Sequence, residues 1–378
     1  MKIRLDLSPL ASQHRSGVAQ YTRLLSEALA STDGTSLYGH YFDFLNRQPK
    51  PELSIQPKKT NVNKLVPLRF YAKSQSYNIA PPFDLFLPKV DLTIFPNFAT
   101  WPAINSKHTA TVIHDLTYLY FPEVVEEKNL AHLRRVVPGS IKKADFIITV
   151  SKSVKAELIK EFGLAPEKCV VTPIPSDESF FTIASKEQIS AVKEKYKISP
   201  DKKYLYFIGN LEPRKNLKTL IEAYRLLPKE AKDEYSLILA GGKGWKTEET
   251  QQALDEAIKA GEDIKHLGFI DQKDSPVLYQ GASLFVMPSL YEGFGMPVLE
   301  AMASGTPVVA SDIPVLREVG STYASYANPH SPESFKDAIL EALTKPTPKR
   351  SDLQKNVTRY SWEDNVNKII KATNSLNS

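Results

Sequence analysis

The sequence predicts an α/β protein with two doubly wound parallel-sheet domains. Strand-like and helix-like patterns alternate from residue 2 to about residue 171, pause between 173 and 200, and resume from 203 to 311. At 378 residues the chain is also long for a single hydrophobic core. Two successive alternating blocks therefore indicate two domains, each with a parallel sheet covered by helices.

The first block opens with a strand at 2–7 and a helix on which Val18, Tyr21, Leu25 and Leu29 share one face. Two β-branched runs, HTATVIHDL and DFIITVS, are typical of buried parallel strands. The helix SVKAELIKEFG then ends at a glycine. One stretch does not fit this alternation. Residues 46–82 are rich in Pro, Lys and Asn with little periodicity, which we interpret as an excursion outside the core.

The second block repeats the alternation with strands KYLYFIG, YSLILAGG, DIKHLGFI, SLFVMPS and PVVAS, each followed by a helical pattern or a turn. A last helix is predicted at 361–378, where Trp362, Val366, Ile369 and Ile370 lie on one side. In open α/β sheets, ligands bind beyond the carboxyl ends of the strands, so candidate site residues are those that directly follow strands.

Composition excludes several classes of protein. The chain has one cysteine, Cys169, so no disulfide can form within it, and a reducing compartment fits. No apolar run suits a signal peptide or the ~20 residues of a membrane span. The net charge of +5 is mildly basic. It fits plain solubility or an anionic partner, and no Lys/Arg run interleaved with aromatics supports nucleic acid.

Residues 291–300, YEGFGMPVLE, follow a strand and open a helix. Gly293 and Gly295 would let backbone amides approach a ligand closely. A helix N-terminus at a strand end is a site for phosphate. Glu292 and Glu300 suit sugar hydroxyls, because a carboxylate accepts hydrogen bonds. The alternative is a plain turn and helix start with two solvated acids.

A second candidate segment, GNLEPRKNLKTL, also follows a strand. Arg214 and Lys215 start a helix there, where adjacent cations oppose the helix dipole. A bound anion would explain them, since Arg grips phosphate with two hydrogen bonds and Lys supplies a point charge. A solvated basic turn is the alternative.

Other chemistries lack their motifs. The chain has no Asp-x-Asp pair for a divalent ion, no His-Glu-x-x-His, no cysteine cluster and no Gly-x-Ser-x-Gly elbow. GGKGWKT at 241–247 lacks the spacing of a P-loop, and SGVAQY at 16–21 does not match a dinucleotide fingerprint. We therefore predict no metal site. His114 and Asp115 directly follow a strand, and a single histidine there could be structural or could reach a ligand.

Together these segments resemble the retaining glycosyltransferases of family 4, which have the GT-B fold. EGFGMPVLEAMASGTPVVASDIPVLREV resembles the family's pair of glutamates, and GNLEPRKNLKTLIEAY resembles its phosphate-binding segment. SGVAQYTRLLSEAL and TVIHDL are similar to its opening loop and first-domain histidine segment. The resemblance implies two Rossmann-like domains facing across a cleft. They would be an acceptor-binding domain, 1–180, and a nucleotide-sugar-binding domain, 181–360, with the final helix 361–378 crossing back to the first.

The resemblance also implies roles for individual residues. Glu292 would touch the transferred sugar, Glu300 would hold the ribose hydroxyls, and His114 would reach sugar hydroxyls. Arg214 and Lys215 would clamp the diphosphate and stabilise the leaving group. Further donor contacts would come from Gly17, Gly209, Asn210, Phe269, Ile270, Gly293, Phe294, Gly295 and Met296. Many members have an arginine where this chain has Asn210, so Arg214 would carry more of the clamp.

The same resemblance implies front-face transfer with retention, in which the departing phosphate serves as base and no metal or other cofactor is needed. The segments GNLEPRKN and TVIHDLTYLYFPE resemble mannosyltransferases of bacterial surface polysaccharide assembly. We therefore expect GDP-mannose ahead of UDP-glucose, UDP-N-acetylglucosamine and deoxysugar donors, and a glycan or lipid-linked acceptor. Two alternatives stay open: a sugar-nucleotide epimerase on the same fold, and a non-catalytic sugar-nucleotide binding module.

The expected location is the cytoplasm, with weak contact at the anionic inner face of the membrane. The stretch 46–82 carries cations and aromatics, namely Lys50, Lys58, Lys59, Lys64, Arg69 and Lys73 beside Phe70, Tyr71 and Tyr77. Each cation near such a surface contributes ~1 kcal/mol at most, so contact would be reversible and salt-sensitive. A solvated loop serving a soluble acceptor is the alternative.

Overall fold

The computed structural model describes residues 1–11, 17–76 and 79–377. The chain forms two compact units. Unit 1 comprises Met1–Tyr120, Glu127–Ile174 and Ser361–Ser378, and unit 2 comprises Phe121–Glu126 and Pro175–Tyr360. The predicted division after residue 180 thus falls slightly beyond Ile174. No sequence pattern indicated that the short segment Phe121–Glu126 joins unit 2.

Unit 1 is built on a sheet of seven strands. They are β1 (Lys2–Asp6), β2 (Ser36–Phe42), β3 (Lys59–Asn63), β4 (Val90–Phe95), β5 (Ser106–Ile113), β6 (Phe146–Thr149) and β7 (Cys169–Val171). Their order is β3-β2-β1-β4-β5-β6-β7, and every pairing is parallel. The chain begins at β1 in the interior of the sheet, adds β2 and β3 on one side of it, and then adds β4 to β7 on the other side. The strand order therefore reverses between β1 and β4, where open α/β sheets bind ligands.

Helices cover this sheet. They are α1 (Gly17–Ser31), α2 (Leu68–Ser76), α3 (Thr117–Tyr120), α4 (Glu127–Lys143) and α5 (Lys152–Phe162). In α1 the apolar spacing has the predicted effect, because Leu25 and Leu29 are fully buried. In α5 the Ser151 hydroxyl accepts from the Val154 amide, and Gly163 ends the helix with φ of +61°.

The interpretation of 46–82 as lying outside the core is wrong for part of that stretch. It contains the edge strand β3 and the helix α2, and Tyr71 on α2 is 4% exposed. Tyr71 packs among the buried aromatic rings of Phe42, Phe95 and Trp101. The strand was missed because its sequence, KTNVN, is mostly polar. An edge strand with exposed faces is held by backbone hydrogen bonds to its neighbour, so its sequence does not have to alternate apolar and polar residues.

Unit 2 repeats the architecture with six parallel strands. They are β8 (Lys203–Ile208), β9 (Tyr235–Ala240), β10 (Ile264–His266), β11 (Leu284–Met287), β12 (Val308–Ser311) and β13 (Ala324–Ala327). Their order is β10-β9-β8-β11-β12-β13. The reversal now falls between β8 and β11, so the residues after these two strands meet at one crevice.

Nine helices are described in unit 2. They are α6 (Lys186–Lys195), α7 (Leu217–Arg225), α8 (Lys229–Glu234), α9 (Glu248–Lys259), α10 (Ser275–Gly281), α11 (Met296–Ala303), α12 (Pro314–Gly320), α13 (Pro332–Thr344) and α14 (Arg350–Val357). Short 3₁₀ helices complete both units, at Ser8–Ala11, Phe44–Asn46, Pro122–Val124, Pro166–Lys168, Glu178–Phe181, Pro213–Lys215, Gln272–Asp274 and Ser321–Tyr323.

The last helix, α15 (Trp362–Ser375), belongs to unit 1, as predicted. The Ser361 hydroxyl caps it by accepting from the Asp364 amide. Val366 and Ile369 are fully buried, and the helix packs against α1 and β7. None of the described helices is both long enough and apolar enough to cross a membrane.

Candidate functional site

The two candidate segments of unit 2 meet beyond the ends of β8 and β11. The Leu290 amide donates to the Arg214 carbonyl at 2.9 Å. Asn216 adopts a left-handed conformation with φ of +55°, and its side-chain amide donates to the Pro288 carbonyl at 3.0 Å. These bonds join the loop after β8 to the loop after β11. The strand order therefore brings together residues that are far apart in the sequence.

At this junction, one carboxylate is shared by two cations. Arg214 Nη1 lies 2.7 Å from Glu292 Oε2, and Lys215 Nζ lies 2.7 Å from Glu292 Oε1. The same Arg214 nitrogen donates to the Tyr291 carbonyl at 2.9 Å, and Glu212 Oε2 lies 3.6 Å from Arg214 Nη2. Glu292 and Lys215 are 7% and 9% exposed. We call Arg214, Lys215 and Glu292 the ion cluster.

Burial and pairing act in opposite directions on these groups. Burial alone would raise the pKa of Glu292, but the charges of Arg214 and Lys215 outweigh burial and hold it at about 2. Burial lowers the pKa of Lys215, and the Glu292 carboxylate offsets part of that effect. Glu292 is therefore ionised at neutral pH. Arg214 and Lys215 are thus held at the strand ends by Glu292, with Glu212 as a second carboxylate beside Arg214. An anion that binds there would compete with these carboxylates for the two cations.

The loop after β11 needs glycine at one point. Gly295 precedes the first residue of α11 with φ of +97°, a conformation that L side chains rarely adopt. A Cβ there would also lie 2.7 Å from Leu316 Cδ2. Phe294 is buried with its ring 5.7 Å from that of Tyr360, whereas Gly293 and Met296 are half-buried. These contacts fix the direction in which α11 begins.

The loops after β8 and β9 are joined by backbone hydrogen bonds. The Leu211 amide donates to the Gly242 carbonyl at 2.9 Å, and the Gly244 amide donates to the Leu211 carbonyl at 3.2 Å. Gly241 has φ of +127°, and a Cβ on it would lie 2.0 Å from the Gly209 carbonyl oxygen. The glycines of GGKGWKT thus allow close contact with the segment that carries Arg214 and Lys215, a role that sequence spacing did not reveal.

Three other predicted donor residues lie on the loops after β8 and β10. Asn210 is exposed, and its amide lies 3.4 Å from Glu212 Oε1. Phe269 follows β10 and is 82% exposed, with its ring beside Gly242, while Ile270 is half-buried. An exposed aromatic face of this kind can stack on a nucleotide base.

Glu300 lies in a different environment from Glu292. It is half-buried on α11, and the Tyr279 hydroxyl donates to its Oε2 at 2.9 Å. Burial raises the pKa of Glu300 to about 7, against the lowering effect of the Tyr279 hydrogen bond, and the charge of Asp177 raises it further. No sequence pattern indicated Tyr279, which is buried on α10 and packs its ring against Tyr206.

Two predicted residues belong to unit 1. His114 follows β5, and its Nε2 lies 2.8 Å from the Pro96 carbonyl oxygen. A carbonyl only accepts, so Nε2 carries the hydrogen, and Nδ1 of the neutral ring can accept from a hydroxyl. Burial lowers the pKa of His114 despite the Pro96 bond and the nearby Asp115, which favours the neutral ring. Gly17 begins α1, and Tyr21, one turn later, places its ring 5.0 Å from that of His114.

The segment Phe121–Glu126 adds contacts to unit 2 that the sequence did not predict. The Trp245 indole N–H donates to the Val124 carbonyl at 2.5 Å. The Phe121 ring lies 5.6 Å from the ring of Tyr291, which directly precedes Glu292.

As for metals, the described residues contain no group of three His, Cys, Asp or Glu side chains arranged to hold an ion.

The chain is similar in sequence to known glycosyltransferases. The family described as glycosyl transferases group 1 matches residues 188–360. The chain is 31% identical to O-antigen chain mannosyltransferase B of Escherichia coli, over 98% of this chain and 99% of that protein. It is also 28% identical to O-antigen chain mannosyltransferase RfbU of Salmonella typhimurium, over 70% of this chain and 68% of the relative.

Solved structures share the fold at lower identity. Sucrose-phosphate synthase from Thermosynechococcus elongatus matches with a TM-score of 0.74 and 18% identity, over 99% of this chain and 98% of that one. HepE of Anabaena, solved in complex with UDP and glucose, matches with a TM-score of 0.71 and 17% identity, over 99% and 100%. These likenesses, with the two parallel sheets, confirm the expected GT-B fold.

Proposed function

Because the chain belongs to the glycosyl transferases group 1 family and is therefore a glycosyltransferase, we propose that it transfers mannose from GDP-mannose to a growing bacterial surface polysaccharide. The observation that carries the mannose proposal is the alignment with O-antigen chain mannosyltransferase B, which spans nearly the whole of both chains. A second O-antigen mannosyltransferase among the relatives supports the same sugar. The proposed acceptor is a glycan or lipid-linked sugar.

In the proposed complex, the ion cluster binds the donor diphosphate. Arg214 and Lys215 would turn part of their hydrogen bonding from Glu292 to the phosphate oxygens. The carboxylate would then be available to a hydroxyl of the sugar, next to the bond that breaks. Glu300 would accept from the ribose hydroxyls and Phe269 would stack on the base. In unit 1, Nδ1 of His114 would accept from a sugar hydroxyl.

The proposed reaction retains configuration by front-face attack. The acceptor oxygen forms a bond to the anomeric carbon on the side from which the diphosphate leaves. The bond between that carbon and the phosphate oxygen breaks, and the hydroxyl proton passes to the departing phosphate. Arg214 and Lys215 stabilise the charge that develops on the leaving group, and such preorganised electrostatics are worth most in a buried site.

A donor panel tests the sugar and the base. Thermal unfolding is measured with GDP-mannose, UDP-glucose, UDP-N-acetylglucosamine and a deoxysugar nucleotide. A true donor at ~100 times its Kd stabilises the fold by roughly 2.7 kcal/mol. Transfer to a mannose-terminated acceptor is then followed, with the anomeric configuration read by NMR. An inverted product would contradict retention, and nucleoside diphosphate released without a new glycoside would favour an epimerase.

Metal independence is part of the proposal, because two cations already oppose the diphosphate charge. We expect transferase activity to persist in excess chelator, within about twofold of the untreated enzyme. A hundredfold loss that added Mg²⁺ or Mn²⁺ restores would show that a metal ion, not the cationic pair, carries the charge stabilisation.

The proposed location is the cytoplasm, with weak contact at an anionic membrane where a lipid-linked acceptor would lie. Of the residues that the sequence predicts for that contact, Tyr71 does not qualify, because it is buried and cannot touch a membrane surface. Lys50, Lys58, Lys59, Lys64 and Lys73 are exposed, and Phe70 is 70% exposed. Tyr77 and the Arg69 side chain lie outside the described residues.

A further inference from the structure

A turn in unit 1 holds two apolar side chains out in solvent. Phe86 is 90% exposed and Leu85 is 46% exposed. The turn closes with a hydrogen bond from the Leu87 amide to the Asp84 carbonyl at 2.9 Å. Single exposed apolar side chains are common, but a contiguous exposed group can mark a surface that meets a partner.

The anchor of this turn is a buried ion pair. Asp84 is fully buried and Arg4 is 1% exposed, and Arg4 Nη1 lies 3.1 Å from Asp84 Oδ2. Asp84 also accepts from the Ile104 and Asn105 amides at 2.8 and 2.9 Å, and Arg4 donates to the Pro88 carbonyl. A buried pair with so many hydrogen bonds fixes the backbone on both sides of it. The backbone that carries Leu85 and Phe86 is therefore anchored between Asp84 and Pro88.

The same network joins a second turn to the first. The Asn105 side-chain amide donates to the carbonyls of Asp84 at 2.8 Å and Leu85 at 3.2 Å. Ile104, on this second turn, is 56% exposed. Leu85, Phe86 and Ile104 thus lie exposed on two turns that are joined to each other, and we call these three side chains the apolar tip.

A basic cavity adjoins the apolar tip. Its volume is about 580 Å³, and it shares Ile104 and Asn105 with the turns just described. Lys2, Lys89 and Lys107 also line it, and all three are exposed. Asp91 is in the lining too, where its carboxylate accepts from the Lys2 amide at 2.7 Å. Three lysines around an open cavity suit the phosphate groups of an anionic partner.

We propose that the apolar tip and the basic cavity together form the surface by which this protein binds an anionic membrane. Leu85, Phe86 and Ile104 enter the boundary between headgroups and acyl chains, while the lysines contact lipid phosphates. The surface lies at the amino ends of β1, β4 and β5, the edge of the sheet opposite His114. The inference rests on the proposed membrane contact and moves it away from residues 46–82.

Vesicle flotation tests this assignment with the full-length protein. Vesicles of phosphatidylglycerol and phosphatidylethanolamine are compared with neutral phosphatidylcholine at low and high salt. Lys89→Glu with Lys107→Glu lowers partition to anionic vesicles by about 25-fold or more, since each lost cation contributes about fivefold and each substitution also adds a negative charge. Leu85→Ser with Phe86→Ser lowers it by about tenfold or more at either salt concentration, because apolar insertion is not screened.

A matched pair in the stretch 46–82 serves as control. Lys58→Glu with Lys64→Glu makes the same change in net charge at exposed positions and leaves partition within about twofold of wild type. Equal losses in both lysine pairs would overturn the assignment, because binding would then follow net charge alone. Wild-type protein that stays off anionic vesicles but forms a dimer lost in the Ser variant would make the tip a contact between copies, which also overturns it.

Nucleotide-sugar binding separates this inference from the proposed function. All the variants should keep the thermal shift produced by the best donor, because the substituted residues belong to unit 1, whereas the ion cluster belongs to unit 2. Failure of vesicle binding with an intact donor shift removes only the membrane surface. Absence of any donor shift in the wild-type protein removes the proposed function instead.

Discussion

Glu292 pairs with two buried cations at once, so its removal affects stability as well as catalysis. We expect Glu292→Gln to lower the free energy of unfolding by about 3–5 kcal/mol, because Lys215 loses the carboxylate it pairs with and Arg214 keeps only the more distant Glu212. A nucleoside diphosphate should recover part of that loss, because its phosphates can pair with the two cations in place of the carboxylate. Thermal unfolding with and without the nucleotide measures both effects.

The control for this variant is Glu248→Gln, at an exposed position on α9. It should stay within about 0.5 kcal/mol of wild type. If Glu292→Gln unfolds like the control, the two cations do not depend on this carboxylate. If the nucleotide stabilises the variant no more than wild type, the phosphate does not bind at the ion cluster.

Glu300 should make donor binding depend on pH. Its pKa is raised to about 7, so its ionised form, which accepts from ribose hydroxyls, is disfavoured below that pH. Going from pH 6 to pH 8 raises the ionised fraction about tenfold, and affinity for the nucleotide sugar should rise by the same factor. Titration calorimetry with the nucleotide sugar measures this, since its diphosphate does not titrate in that range.

Glu300→Gln should bind more weakly than wild type at pH 8 and lose the dependence on pH. A variant with the same tenfold rise would assign the titration to another group.

The sequence indicated both glutamates by spacing, but not their different environments. Tyr279 and the two cations lie far from the glutamates along the chain, and burial depends on the packed helices.

At the scale of single elements, the loop 241–244 should be sensitive to one methyl group. Gly241→Ala would place a Cβ 2.0 Å from the Gly209 carbonyl oxygen, which must separate the loops after β8 and β9. We expect a loss of stability above 2 kcal/mol and donor affinity reduced at least tenfold, because the displaced segment carries Arg214 and Lys215. Chemical denaturation and calorimetry measure the two quantities.

Gly261→Ala is the matched control for Gly241→Ala. Gly261 also has positive φ, +86°, but a Cβ on it would meet nothing within 4 Å. It isolates the backbone strain, which is about 1 kcal/mol for a left-handed residue, and should leave donor affinity unchanged. Equal effects of the two substitutions would mean that strain alone matters and that the contact between the loops does not.

Elements with apolar periodicity could be predicted from the sequence, and those without it could not. Strands such as β8 and β11 are continuous apolar runs because both faces of a parallel sheet are buried. The edge strand β3 is polar, so only its pairing with β2 identifies it. Likewise GGKGWKT lacks the spacing of a P-loop, and only the structure shows why it contains glycines: Gly209 and Leu211, in the loop after β8, approach its backbone closely.

At the scale of the whole molecule, the two units use one strand order twice. In each unit the first strand lies inside the sheet, the next two strands are added on one side of it, and the later strands are added on its other side. The strand order therefore reverses between β1 and β4 in unit 1 and between β8 and β11 in unit 2. This order follows from two blocks of alternation, which is why the fold class could be predicted. The return of the last helix to unit 1 has no local signature and came only from resemblance to the family.

The packing of α15 gives a prediction about which unit it stabilises. Ile369 is fully buried, and α15 packs on α1 and β7. Ile369→Ala should lower stability by about 2–5 kcal/mol. In hydrogen exchange, the amides of α1 and β7 should lose protection while those of β8 and β11 keep theirs, because the helix belongs to unit 1. Lys368→Ala, one residue earlier and exposed, should change neither. Equal loss of protection in both sheets would show that the units unfold together, and α15 would then stabilise the whole chain.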